Sequence, residues 1–171
     1  MDSTTRTPAG EALTRLVLDL LRVNSLLSTA GDRLVAPLGL TSARWQILGA
    51  ISQAERPQPV AWLARNLGAN RQNVQRIIND LCKDGLVVFG PNPHHRRAQL
   101  VLLTEGGRRT LEAARRLQAP WVNSLSSELS LKEIQRAHRI IAALRETLEG
   151  SGEAEERVSR PDAREGTKAT A

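Results

Sequence analysis

The hydrophobic period of this chain changes at Gly85, and that change limits the folds open to it. Before Gly85, Val60, Leu63, Ala64 and Leu67 fall at 0, +3, +4 and +7, and so do Val74, Ile77, Ile78 and Leu81. Each set makes one stripe on a helix. Gly68 ends the first helix, Val60 to Leu67, and Asn70 is a good N-cap for the second, which runs from about Arg71 to Asp84. After Gly85 the period is two. Leu86-Val87-Val88-Phe89 and Ala98-Gln99-Leu100-Val101-Leu102-Leu103 read as strands. The connection Gly90-Pro91-Asn92-Pro93-His94-His95-Arg96-Arg97 is turn-rich and basic, so the hairpin has a protruding, positively charged tip.

The flanks are helical. From Ala12 a stripe carries Leu13, Leu16, Val17, Leu20, Leu21 and Leu27, and Pro37 with Gly39 ends it. Thr41 or Ser42 caps a helix with Trp45, Ile47, Leu48 and Ile51. Glu55 to Pro59 reads as a loop, because Pro57 and Pro59 cannot both sit inside a helix. Thr104 caps a long helix carrying Leu111, Ala114, Leu117, Trp121 and Leu125, with a kink expected at Pro120. Ser130-Leu131-Lys132-Glu133 has capping-box spacing and starts a last helix with Ile134, Ala137, Ile141, Leu144 and Leu148 near a heptad seam. Trp45 and Trp62 are read as core. The fold class is therefore mainly α with a small β-hairpin. Residues 1–8 are expected to be a flexible arm and 9–149 one domain. Residues 150–171, with five acids, four bases and Val158 as the sole aliphatic larger than alanine, are expected to be disordered.

Composition narrows the setting. Aromatic residues are 2% of the chain, so the core must be built from Leu, Ile, Val and Ala, which suits helix-on-helix packing. A single cysteine, Cys82, excludes an internal disulfide and fits a reducing cytosol. The N-terminus is polar, and the apolar run Leu16 to Leu21 is broken by Asp19 and too short for a bilayer. A cytoplasmic protein with no membrane partner is expected.

Two short helices joined by a tight Gly-containing turn are the layout of a helix-turn-helix. The second helix turns outward Arg71, Gln72, Asn73, Gln75, Arg76 and Asn79, all arginines or carboxamides. Arginine reads guanine edges, and Asn and Gln read adenine. An ordinary solvated face is richer in Lys–Glu pairs. Val60 to Arg109 holds eight Arg or Lys against three acids, an excess of five beside the whole chain's +6. Such a concentration fits duplex DNA, because each neutralised phosphate releases condensed cations. His94, His95, Arg96 and Arg97 at the tip are suited to a flanking minor groove. The expected DNA-binding set is Asn70, Arg71, Gln72, Asn73, Gln75, Arg76, His94, His95, Arg96 and Arg97.

At this point the chain resembles the MarR family of winged helix-turn-helix regulators, over about Gly39 to Arg116. The matching stretches are Gly-Leu-Thr-Ser-Ala-Arg-Trp-Gln-Ile-Leu (39–48), Leu-Ala-Arg-Asn-Leu-Gly-Ala-Asn-Arg-Gln-Asn-Val (63–74), Leu-Cys-Lys-Asp-Gly-Leu-Val (81–87) and Asn-Pro-His-His-Arg-Arg-Ala-Gln-Leu-Val-Leu-Leu-Thr-Glu-Gly-Gly (92–107). The resemblance implies a winged helix-turn-helix over about 40–104, flanked by dimerisation helices over about 11–36 and 105–149. It implies a homodimer on a pseudo-palindromic operator, with half-sites about one helical turn (~34 Å) apart. It implies a repressor whose wing arginine is Arg97, and it permits release by a small-molecule effector, which no residue here identifies. The family usually has a carboxylate two residues before that arginine. Here the position is His95, expected to hydrogen-bond phosphate or a wing carbonyl instead, with tighter binding at mildly acid pH.

Other chemistries find less support. Cys82 ends the recognition helix, whereas oxidant-sensing relatives carry their cysteine near the N-terminal helix, so packing is its expected role. His94, His95 and His138 lack metal-ligand spacing. There is no nucleophile elbow, phosphate-binding glycine loop or paired carboxylate, and no cofactor is implied, so an enzyme is not expected. The alternatives are a winged helix used for protein contact and a non-specific architectural DNA binder. The amide-rich face argues against the latter, because a pure phosphate binder needs only Lys and Arg.

Overall fold

The computed structural model describes residues 5–95 and 97–158, of which 152–158 are backbone alone. Helix α1 spans Pro8–Val35, followed by a 3-10 turn, Ala36–Leu38. Then come α2 (Ser42–Gln53), strand β1 (Gln58–Pro59), α3 (Val60–Asn66), α4 (Arg71–Lys83), β2 (Val87–Gly90), β3 (Leu100–Leu103), α5 (Glu105–Leu125) and α6 (Leu131–Val158). The chain divides into two compact units, the first ending at Trp121 and the second starting at Val122.

Helix α1 starts a turn before the period read from Ala12. Thr7 Oγ1 accepts from the Gly10 N–H, and Pro8 enters the first turn, where its missing N–H costs nothing. Thr41 is the cap of α2, though its bond from Arg44 N is long at 3.3 Å. Ser42 is buried. Its N–H donates to Asp32 Oδ1 of α1 at 2.6 Å, and Gly31 allows the close approach, since a Cβ there would lie 2.9 Å from Ser42 Oγ. Arg44 of α2 in turn pairs with Asp84, at the end of α4.

The core of the first unit is the one the periodicity outlines. Leu63 and Ala64 of α3, Val74, Ile77, Ile78 and Leu81 of α4, and Ile47 and Leu48 of α2 are buried together. Val87, Val101, Leu111 and Ala114 close it from the strands and α5. Gly68 and Gly85 take left-handed φ of 59° and 70°, which ends α3 and α4 sharply. Thr104 fastens the start of α5. It accepts from the Gly107 N–H at 2.9 Å and donates to Gly85 O at 2.7 Å, so one hydroxyl ties α5 to the turn after α4.

The sheet has three strands, in the order β1-β3-β2, where the sequence reads two. Gln58 and Pro59, expected to be loop, pair antiparallel with Val101 and Leu100. A proline that cannot continue a helix can still occupy an edge strand, where its missing N–H is not needed. Trp62 is likewise not core. It is 53% exposed, and the Arg65 guanidinium lies 5.6 Å from its ring centroid. Two residues past Val60, it points about 200° away from the buried stripe. Trp45 does pack against the core.

Helix α5 continues through Pro120, which supplies no N–H to the turn before it, and the division between the two units follows at the next residue. In the second unit the capping box forms. Glu133 Oε2 accepts from Ser130 N at 2.9 Å and from Ser130 Oγ at 2.6 Å, and Glu133 N donates to Ser130 Oγ. The Ser130 hydroxyl, and then its N–H, hold the Glu133 carboxyl below the usual glutamate range. A lowered folded-state pKa contributes stability that is present above the unfolded value and lost as pH falls through the folded one. Amide protection over residues 131–134, taken as exchange relative to an unstructured peptide at the same pH, is therefore expected to fall on acidification below that range. In Ser130→Ala that protection should already be low near neutrality and depend less on pH. An unchanged profile in the variant would remove the box as the cause. Helix α6 runs past Gly150 to Val158, because Glu153 to Arg157 are mostly good helix formers. The expected flexible arm and disordered tail lie in part outside the described residues, at 1–4 and 159–171.

Candidate nucleic-acid interface

Helix α4 has two unlike faces. Val74, Ile77, Ile78 and Leu81 are buried, while Arg71, Gln72, Asn73, Arg76 and Asn79 are exposed and Gln75 is half-exposed. The helix is fixed at its start by Asn70, whose Oδ1 accepts from Gln72 N at 2.9 Å and Asn73 N at 3.2 Å. Asn70 is thus first a capping residue, with its amide nitrogen still able to donate. At the other end Asp84 holds the helix to α2 through Arg44. The polar face is partly self-ordered. Arg76 donates to Asn73 Oδ1 and Gln75 Nε2 donates to Asn79 Oδ1, each at 3.0 Å. These bonds hold the carboxamides in defined rotamers and leave one lone pair of each Oδ1 and the NH2 of Asn73 to be used.

The connection 91–99 between β2 and β3 is braced by Asn92. Its Nδ2 donates to Ala98 O at 2.8 Å across the loop, and its Oδ1 accepts from His94 N at 3.0 Å. The loop closes further through His95 N to Asn92 O and Ala98 N to His95 O. A carboxamide at 92 thus shapes the tip through the backbone. His94, His95 and Arg97 are exposed. Arg96 lies outside the described residues. Arg97 lines a cleft of about 290 Å3 together with Arg71, Gln75 and Asn79 of α4. His94 and His95 line a separate cleft of about 710 Å3 with Trp62 and Arg56. The expected residues therefore fall into an outward helix face, one cleft shared by α4 and the loop, and a second cleft beyond the loop.

The profile of the MarR family matches residues 38–98. An uncharacterized protein of Mycobacterium tuberculosis is 44% identical over 103 residues, which covers 60% of this chain and 71% of that protein. The chain belongs to the MarR family.

The transcriptional activatory protein BadR of Rhodopseudomonas palustris is 36% identical over 104 residues, 60% of this chain and 59% of BadR. The M. tuberculosis regulator MosR, solved in complex with DNA, superposes with a TM-score of 0.67 at 27% identity, over 79% of this chain and 96% of MosR. Family and fold place this chain with transcription regulators rather than enzymes, and its 91–99 loop is the wing of a MarR-family winged helix-turn-helix. Among the described residues no group of three His, Cys, Asp or Glu is placed to hold a metal ion, and no helix is long and apolar enough to cross a membrane. Cys82 Sγ lies 3.3 Å from Val87 O, packed against the core.

Three residues of this surface are not among those the sequence singles out. Gln99 lines the α4–wing cleft, Asn92 braces the wing, and Trp62 stands beyond it. Helical phase places Trp62 off the stripe, so that signal was in the sequence. Strand alternation would put Gln99 on the face of the buried Val101, and its exposed place in the cleft follows from β3 beginning only at Leu100. The brace at Asn92 spans six residues of loop, and no period marks it.

Proposed function

We propose that this MarR-family regulator is a cytoplasmic homodimer that binds a pseudo-palindromic operator and represses by occupying it. The observation that carries the reading is the outward face of α4, arginine and carboxamide throughout the stretch Arg71 to Arg76 except for the buried Val74. Arg71, Gln72, Asn73, Gln75 and Arg76 meet base edges in the major groove. Asn70 offers its amide nitrogen to a phosphate beside the helix it caps. Arg97 enters the minor groove, with His94, His95 and Arg96 along its edges.

The dimer is supported by apolar surface that the described residues of a single chain leave exposed. Helix α1 exposes Leu13, Leu16, Val17, Leu21 and Leu26, and α6 exposes Leu131, Ile134, Ile140, Ile141 and Leu148. A row of exposed apolar side chains along a helix suits an association site, and two-fold pairing also matches a pseudo-palindrome. Release by a small-molecule effector belongs to this reading through the family likeness. BadR's description as an activatory protein favours activation as the second reading. The same occupancy beside a promoter, rather than across it, would recruit rather than block.

Selection of bound duplexes from a random pool tests the proposal. A two-fold symmetric consensus is expected, and no enrichment would leave only the protein-contact or architectural readings. On the selected site, Asn73→Ala should lose about 1–3 kcal/mol of discrimination at one base pair per half-site, roughly five- to 150-fold. Affinity for unrelated DNA should hardly change. Competition with duplexes carrying single base-pair changes measures it.

A further inference from the structure

We propose that the wing is clasped by both backbone strands of the minor groove it enters, and that Trp62 and Arg56 hold the second strand in the cleft on the wing's far side. The proposal rests on the reading of residues 91–99 as a minor-groove wing. Two clefts meet the wing, and both include Pro59 and Ala98. One lies between the wing and α4 and carries Arg71 and Arg97. The other lies between the wing residues Pro93, His94 and His95 and the segment from Arg56 to Trp62. A minor groove is only about 6 Å wide. A finger inserted into it must therefore have one sugar-phosphate strand on either side. The α4 cleft accounts for one strand, and the second cleft is where the other must pass.

The chemistry of the second cleft fits that occupant. Among the described residues no carboxylate lines it, while Arg56, His94 and His95 do. The rest of its wall is mostly apolar, from Pro57, Pro59, Pro93, Leu100 and the exposed Trp62 ring, with the carboxamides of Gln58 and Asn92 between them. A DNA backbone presents this same alternation, a deoxyribose with an apolar face and then a phosphate. The indole N–H is a donor with no acceptor of its own to repel a phosphate oxygen. Arg65, whose guanidinium lies over the Trp62 ring 5.6 Å from its centroid, adds a further positive charge beside the indole. An acidic protein segment would satisfy the charges but has no repeating sugar to cover the ring and prolines, so the strand of the operator is the better match.

The test uses the full chain on the selected operator, with hydroxyl-radical cleavage read on each strand and affinity measured against salt. Wild type is expected to protect the sugars facing α4 and, in addition, a short run on the opposite strand beyond each wing. Trp62→Ala should lose that outer run alone and bind about tenfold more weakly. Trp62→Phe, which keeps a ring, should restore most of the protection. Arg56→Ala should lower the slope of log affinity against log salt by about 0.9 per half-site. Trp62 is exposed, so thermal melting should be unchanged in all three variants. Protection on the α4 side alone in wild type overturns the proposal while leaving the operator reading intact. So does an unaltered footprint and affinity in Trp62→Ala, which would assign the ring to a protein partner. Absence of any footprint in wild type overturns the operator reading itself, and the clasp with it.

Discussion

Gly107→Ala is expected to destabilise the protein by about 3 kcal/mol or more, a loss at the upper end for overpacking. Gly107 is buried in the first turn of α5, and its φ is unexceptional, so backbone freedom is not the reason for glycine here. The reason is contact. An added Cβ would lie 2.0 Å from Leu86 O and 3.0 Å from Leu86 C. Those are backbone atoms, held by Thr104 N and Thr104 Oγ1, each 3.1 Å from the same carbonyl oxygen. A flexible side chain could swing aside, but this carbonyl cannot move without pulling on β2. A fall in melting temperature of about 10 °C is the matching scale for a chain of this size. Gly106, where a Cβ would meet nothing closer than 3.5 Å, is the control and should tolerate alanine far better. Equal melting of the two variants would show that the start of α5 can shift.

Leu21→Glu is expected to leave the fold intact and abolish operator binding. Leu21 is 64% exposed in the single chain, so a carboxylate there removes little packing from the monomer. In the proposed dimer the same position is buried against the second copy, and an unpaired charge in an apolar contact is strongly unfavourable. Loss of the dimer turns a linked two-site event into two separate ones. The expected fall in operator affinity is roughly 10²- to 10⁴-fold, with little change for a half-site duplex. Sedimentation and gel shift on full and half operators measure both terms. A variant that stays dimeric and binds normally would move the dimer contact off α1.

The α-helical frame and the outward face of α4 are legible in the sequence, because each rests on a local period. The stripe Val74, Ile77, Ile78 and Leu81 defines the buried side, and everything opposite follows from a rotation of 100° per residue. Turn chemistry is legible as well, with Asn70, Gly68, Gly85 and the Ser130–Glu133 box all in their expected places. What escapes is long-range. Strand β1 exists because β3 offers it partners some forty residues later, and two prolines conceal it. The contact of Gly107 with Leu86 and the pairing of Arg44 with Asp84 join segments with no shared period. Trp62 is a different kind of miss. Its phase is readable, but a tryptophan is so often buried that residue type outweighed geometry.

Strand β1 has one more effect. The outer flank of a sheet is a template on which foreign chains can crystallise into fibrils, and most proteins must guard it. Here the guard is two residues long and ends in Pro59, which has no hydrogen to offer an incoming backbone. On that flank the sheet is a poor template for another polypeptide, which suits the proposed association through surfaces whose geometry stops at a closed pair.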